Sequence, residues 1–573
     1  MVRALDRRLL AGLVVMLLAL AACAPAPGGG GTAPSGQDAG RPAALKRMTA
    51  AIRGAPVSMV QQRTQRGSAV RGLDGIEELT SAGLTYIKAD GTRAAQLAEA
   101  VPTVENGLWK VFPDGRMETT WKLKPGAPWH DGKPIVAADF AFTAIVEQDK
   151  ELEIPAYPEY EMVESISTPD PATIVVTWKR PYIEADGVFS YRAAGLPIPK
   201  HLMEKPYLED KAGFTAHVFW TDEFVAAGAF RIREWVRDSH TILRASETYI
   251  FGRPRIDEIE VRFIPDNNAL TANILAGGDL TLGKTVSLDI ALQVRDSWKD
   301  GRIAVLAQNW TPINPQFTNP DPPIVADLRF RRALLHALDR QQLADFVLPG
   351  YGLIAHSYVD PNALLYNLVE PQIVKYDYVL RRTGQLMEEL GYTRRSDGFY
   401  DGTGQKLTFL FQSPSQNDIH VKTLPAIADM WQRAGFTVEQ KLIPPQLMQD
   451  RELRAQWPAL EMIERPNSLA VSEMYRLHSS QVPLPENRYT TGGTTRYRSA
   501  ELDAIIDRYL VTIPLAERMQ VLGLFAHHTT ENLSHLPIFH GADPTLISNR
   551  LQNVTARGAN FTQAWNVQEW ELR

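Results

Sequence analysis

Alternation of apolar and polar positions predicts strands over residues 117–123, 173–179, 230–236, 240–245 and 256–264. A helical apolar period predicts a helix over 137–148, with Phe140 and Phe142 following a first-turn Asp139. The texture then changes. One long helix is predicted over 327–348, stopped by Pro349-Gly350, and another over 377–390, ended by Gly391. A strand over 407–412, a helix over 419–435 and a strand over 437–442 follow in alternation. From Trp457 to Tyr497 the pattern weakens into polar, proline-bearing loops, before helices return over 501–510 and 515–532 and a last strand over 536–539. This rhythm predicts a mixed α/β body.

The chain begins differently. Arg3, Arg7 and Arg8 precede an apolar run over 9–22 that ends Leu20-Ala-Ala-Cys23, which reads as an export leader. Those last four residues resemble the lipobox of bacterial lipoproteins, and that resemblance implies cleavage before Cys23 and a lipid on its thiol. Residues 23–40, rich in Ala, Pro and Gly, have almost nothing to bury and read as a flexible tether. No later stretch reaches the roughly 18 uninterrupted apolar residues of a spanning helix.

With 573 residues, 44% hydrophobic and 22% charged, the chain is long enough for more than one core and has an ordinary globular composition. Its net charge of −6 gives no positive excess for neutralising phosphates, which argues against nucleic acid as a partner. Residues 1–22 take three arginines and one aspartate with them, so the mature chain is more acidic still. A single cysteine excludes intrachain disulfides and multi-cysteine metal centres. There is no HExxH, no GxSxG elbow and no phosphate-binding glycine loop. His527 and His528, adjacent on a helix, point in different directions and do not form a chelating pair, and His130 reads as part of a turn. No cofactor and no metal are predicted.

The most informative stretch runs Leu123-Lys-Pro-Gly-Ala-Pro-Trp-His-Asp-Gly-Lys-Pro-Ile-Val-Ala-Ala-Asp-Phe-Ala-Phe-Thr143. Pro125-Gly126 and Asp131-Gly132 form turns, Trp129 covers the second, and the Asp139 carboxylate meets free N–H groups at a helix start. This block resembles the signature of the oligopeptide/dipeptide/nickel-binding family of extracellular solute-binding proteins, family 5, which serve ABC importers. Further blocks resemble that family in the family's order: Gln96-Leu-Ala-Glu99, Asp114-Gly115, Gly228-Ala-Phe-Arg-Ile-Arg-Glu-Trp235, Tyr249–Ile259, Asp327–Arg340 and Tyr497–Asp503.

The resemblance implies a class II periplasmic-binding fold of the three-domain type. Lobe I would combine residues 41–75, 190–303 and 537–573, an extra domain II would span 76–189, and lobe III would span 304–536. It implies a monomer that captures peptides or peptide-like solutes between hinged lobes and docks on a heterodimeric membrane permease. Capture would rest on main-chain hydrogen bonds that tolerate any side chain. By position in the family pattern, Ser81 and Gly83 line the cleft with small residues, and Thr311 and Asn314 supply polar contacts from the crossing segment at 309–314. Between Trp457, itself a ligand-binding candidate, and residue 468 the chain departs from its relatives. Peptide-binding members carry an aspartate there for the peptide ammonium, whereas this chain offers Glu461 or Glu464, and Arg465 would favour an anion instead. A ligand sensor on the same fold and a secreted hydrolase are the alternative functions.

Overall fold

Residue Arg47 opens the first strand that the structure, a computed structural model, describes. It covers residues 44–573 apart from 61–69, 153, 155–156, 158, 192, 194, 308, 364, 416, 468–470, 494 and 556–561, and apart from the side chains of 449 and 472. The leader, Cys23 and the tether lie outside the described residues. Among those described, no helix is long and apolar enough to cross a membrane.

Three sheets organise residues 45–573. The first has the order Gly301–Leu306, Asp543–Ser548, Leu280–Thr281, Arg47–Ile52, Glu258–Phe263, His240–Ala245, Phe230–Val236, with Arg47–Ile52 parallel to both its neighbours. The second runs Leu353–Ile354, Leu536–His540, Asn309–Pro315, Leu460–Met462, Thr408–Pro414, Thr437–Ile443, and Arg465–Pro466 also pairs with Asn309–Pro315. A separate four-stranded sheet, Trp109–Val111, Met117–Lys122, Thr173–Trp178 and Val163–Asp170, carries the helix Ala137–Gln148.

The chain passes between the two large sheets between Leu306 and Asn309, and again at Gly541–Ala542. These passages are tied together, since the Gly541 N–H donates to the Asn309 carbonyl at 2.7 Å and the Asn309 amide to Asp543 at 3.2 Å. Asn309–Pro315 is buried along its whole length, as a central strand must be, yet it contains Pro312. A register shift between Thr311 and Pro312 absorbs the missing donor.

Most predicted elements occur within a residue or two of their expected bounds. Ala137–Gln148, Phe230–Val236 and His240–Ala245 coincide with them, and Leu380–Glu389 and Asp418–Ala434 each end in a glycine of positive φ, Gly391 at 84° and Gly435 at 106°. Three expectations are corrected. The helix predicted over 327–348 is two helices, Leu328–His336 and Arg340–Val347, because Asp339 serves as an N-cap, accepting from the Gln342 N–H at 2.9 Å. The helix predicted from 377 starts at Leu380, because Tyr376 and Asp377 stay outside it and give their carbonyls to Arg340 and His336. Leu536–His540 is not the last long strand, since Asp543–Ser548 follows inside the first sheet, with Pro544 at its second position.

The quoted sequence blocks meet in space. Trp129 is buried and donates its indole N–H to Asp139 at 3.2 Å, and Asp139 accepts the Val136 and Lys200 N–H groups at 3.0 and 2.9 Å. His130 does more than complete its turn, since its ring stands 3.0 Å from the Gly228 carbonyl and its backbone N–H donates to the Ala226 carbonyl at 2.8 Å. Gly228 in turn donates to Thr80 at 2.8 Å. A side chain at Gly228 would lie 2.2 Å from the Thr80 carbonyl carbon, so that glycine is required by the close approach of two backbones. His528 is buried rather than on the surface, 3.3 Å from Glu501 and 3.2 Å from the Tyr497 hydroxyl, while His527 is exposed.

Candidate functional site

Arg465 lies on the two-residue strand Arg465–Pro466, whose pairing with Trp310 brings both residues to the edge of one cavity. That cavity holds about 590 Å³ of empty space, part of it open to solvent. Its apolar wall includes Trp310, Met474, Leu477 and Phe525, and its polar groups include Tyr358, His535, Arg465, Glu473 and Arg476. The short helix Val471–Tyr475 and the residues after it separate this space from a second cavity of about 860 Å³, lined by Met162, Tyr182, Val471 and Leu510 among others. Arg476 lines both. Near the second cavity the four-stranded unit is bridged to the rest, with the Val471 N–H donating to Glu184 at 2.9 Å and the Ile183 N–H to the Leu510 carbonyl at 3.2 Å.

The cavity's electrostatics are set by burial. Arg465 is pulled down to about 10, first by desolvation and then by Arg476, and no described residue hydrogen-bonds or ion-pairs with its side chain. Burial lowers His535 to about 3 and His356 to about 4, with Arg465 adding to the first shift and Arg340 to the second, so both rings are neutral near pH 7. The Tyr358 phenol is held protonated by burial and its hydroxyl has no partner among the described residues. Glu473 stands 3.4 Å from the Arg476 Nε.

The two glutamates considered for an ammonium are otherwise engaged. Glu461 sits in the middle of the second sheet, opposite Asn314 on one side and Gln412 on the other. It is 1% exposed, forms a two-pronged pair with Arg454 and accepts from Gln412 at 3.2 Å. Glu464 accepts from the Asn417 amide at 2.9 Å. Thr311 and Asn314 are buried in the central strand and lie outside the cavity lining, although both polar atoms of the Asn314 amide lack a partner among the described residues. Trp457 is buried under the Arg496 guanidinium, 5.2 Å from the ring centre, and gives its carbonyl to Gln316. Ser81 lines a different cavity of about 480 Å³. Gly83 is small for its own chain's sake, since a side chain there would lie 2.7 Å from the Phe189 carbonyl. Arg465 is thus the one sequence candidate in the Trp310 cavity. Trp310, Tyr358, Arg476 and His535 were not singled out because they come from four separate stretches with no local motif.

Two lobe-forming sheets linked by paired crossings, with an added sheet and a desolvated cavity, define a type II periplasmic-binding fold, the architecture of non-catalytic solute-binding proteins. The model of the bacterial extracellular solute-binding proteins, family 5, matches residues 99–468, and the chain belongs to that family. The oligopeptide-binding protein AppA of Bacillus subtilis is 25% identical over 399 residues, 69% of this chain and 70% of that one. The oligopeptide-binding protein of Thermus thermophilus, solved with a pentapeptide, is 21% identical with a TM-score of 0.72, over 92% of this chain and 96% of the other. NikA of Brucella suis, solved with Fe(III)-EDTA, is 16% identical with a TM-score of 0.73, over 92% and 100%. The family makes this chain the extracytoplasmic solute-binding component of an ABC importer.

Proposed function

We propose that the chain captures a peptide-like solute in the cavity bordered by Trp310 and Arg465 and hands it, chemically unchanged, to a heterodimeric membrane permease. The supporting observation is a cavity whose charged guanidinium has no described partner, beside the paired crossings where the two large sheets can hinge. Lobe I is assigned to residues 41–75, 190–303 and 537–573, domain II to 76–189 and lobe III to 304–536; the second crossing at Gly541–Ala542, a few residues beyond 537, supports a passage from lobe III to lobe I in this part of the chain. Solute bound between the lobes selects the closed population, which the permease reads. The protein works as a monomer, held at the membrane by a lipid on Cys23. Thr311 and Asn314 act from behind the cavity, as part of the strand that carries Trp310, and Trp457 from the loop before Leu460–Met462.

The test is to incubate the full chain with a defined peptide mixture, separate bound from free, and weigh both pools by mass spectrometry. Retention of intact solute at one per chain is expected. Shortened peptides accumulating in the free pool would overturn the reading in favour of hydrolysis.

A further inference from the structure

The cavity's charges point to a narrower class of solute than peptides at large. An ammonium group buried there would need a free carboxylate. Among the described lining residues Glu473 is the only carboxylate, and it stands against Arg476; Glu461 is taken by Arg454 and Gln412, and Glu464 by Asn417. An anion meets the opposite situation. Arg465 presents a guanidinium with no described partner, the Tyr358 hydroxyl is buried with no partner among the described residues, and Arg476 adds a second guanidinium, held by Glu473 at 3.4 Å and by the Gly492 carbonyl at 3.3 Å. A desolvated guanidinium gains most from a carboxylate because its fork of donors matches both oxygens. The remaining wall, Trp310, Met474, Leu477 and Phe525, suits an apolar body attached to that anion.

We infer that the Arg465 cavity selects an organic carboxylate with an apolar body and no ammonium group, such as an N-blocked peptide or another hydrophobic acid. The inference rests on the solute-binding reading above and specifies its ligand. Burial keeps His356 and His535 neutral near pH 7, so neither ring adds charge, and Arg465 with Arg476 outweighs Glu473.

The test uses four probes with one body: N-acetyl-Leu-Phe, its C-terminal amide, free Leu-Phe and Leu-Phe-amide, titrated by calorimetry into the full chain, Arg465→Gln and Arg465→Lys. The acetylated acid should bind at least tenfold more tightly than its amide, and Leu-Phe-amide weakest of all. Arg465→Gln should erase the acid–amide difference, and Arg465→Lys should keep part of it, provided each variant melts as wild type does. An unfolded Arg465→Gln leaves the wild-type ranking and Arg465→Lys to decide. An amide that binds as tightly as its acid, or a preference for the probes with a free amine, overturns the anion inference while leaving solute binding intact. Binding of none of the four also overturns it. Solute binding itself then stands or falls on the peptide-mixture experiment.

Discussion

Arg340 and Arg465 are both pulled down to about 10 by burial, yet they are treated in opposite ways. Arg340 donates to three carbonyls, those of Ala355 at 2.7 Å, Pro537 at 2.9 Å and Tyr376 at 2.5 Å, and so pins two helices to the edge of the second sheet. Arg465, on the same sheet, has no such partner among the described residues and faces a cavity. A guanidinium cannot discharge in the accessible pH range, so its burial must be offset by the protein or by something that enters. The arginine that the fold has already satisfied is structural, and the one it has left open belongs to the ligand.

The comparison breaks most visibly at Arg340. Arg340→Met should cost about 3–5 kcal/mol, because it leaves buried carbonyls unpaired, and chemical denaturation would read the loss. If Arg340→Met proved as stable as wild type, carbonyl pairing would not be what separates the two sites.

Buried histidines extend the same contrast to groups that can shed their charge. Burial holds His420 and His540 at about 4, and neither His420 ring nitrogen has a partner among the described residues. Their folded values lie below the unfolded 6.5, so the unfolded chain binds more protons in between. Stability present above pH 6.5 should therefore fall as pH drops toward 4, by about 1.4 kcal/mol per pH unit for each such ring. Melts between pH 7 and 4 on wild type and His420→Gln should show a shallower decline in the variant.

Gly228→Ala probes packing without touching charge. Its new methyl would meet the Thr80–Ser81 backbone, at a cost of about 1–3 kcal/mol that should not depend on pH. By contrast, Arg465→Gln should stabilise the ligand-free chain, by about 1 kcal/mol or less, because it removes a charge the protein does not offset and strands no group. The smallest effect is electrostatic. Arg465 helps burial depress His535, so Arg465→Gln should raise the His535 pKa while leaving it below 6.5, as a proton NMR titration would show.

How much of this was legible in the sequence follows from where the determinants lie. The helix Ala137–Gln148 carries its own start in Asp139, and Asp418–Ala434 its own stop in Gly435, so both could be read locally. The break between Leu328–His336 and Arg340–Val347 could not, because Asp339 fits a cap and a helix surface equally well until the tertiary contacts of Arg340 fix the turn. Asp543–Ser548 was hidden by Pro544, which reads as a loop residue although its pairing with Gly301–Leu306 tolerates it. The motif around Trp129 announced the family and yet builds a joint between His130, Ala226, Gly228 and Thr80 rather than a ligand contact. The cavity draws on residues near 310, 357, 470 and 530, and no window of sequence holds more than a fragment of it. Arg465 stood out only because it lies in the stretch where relatives are expected to carry an aspartate.

Native mass spectrometry of the chain purified from its source, alongside Arg465→Gln prepared in the same way, tests the central claim most directly. The account predicts one unmodified, non-covalent solute per wild-type chain, bearing a carboxylate and no amine, and its loss from Arg465→Gln. A solute charged only through an ammonium group, or one retained equally by both proteins, would contradict it.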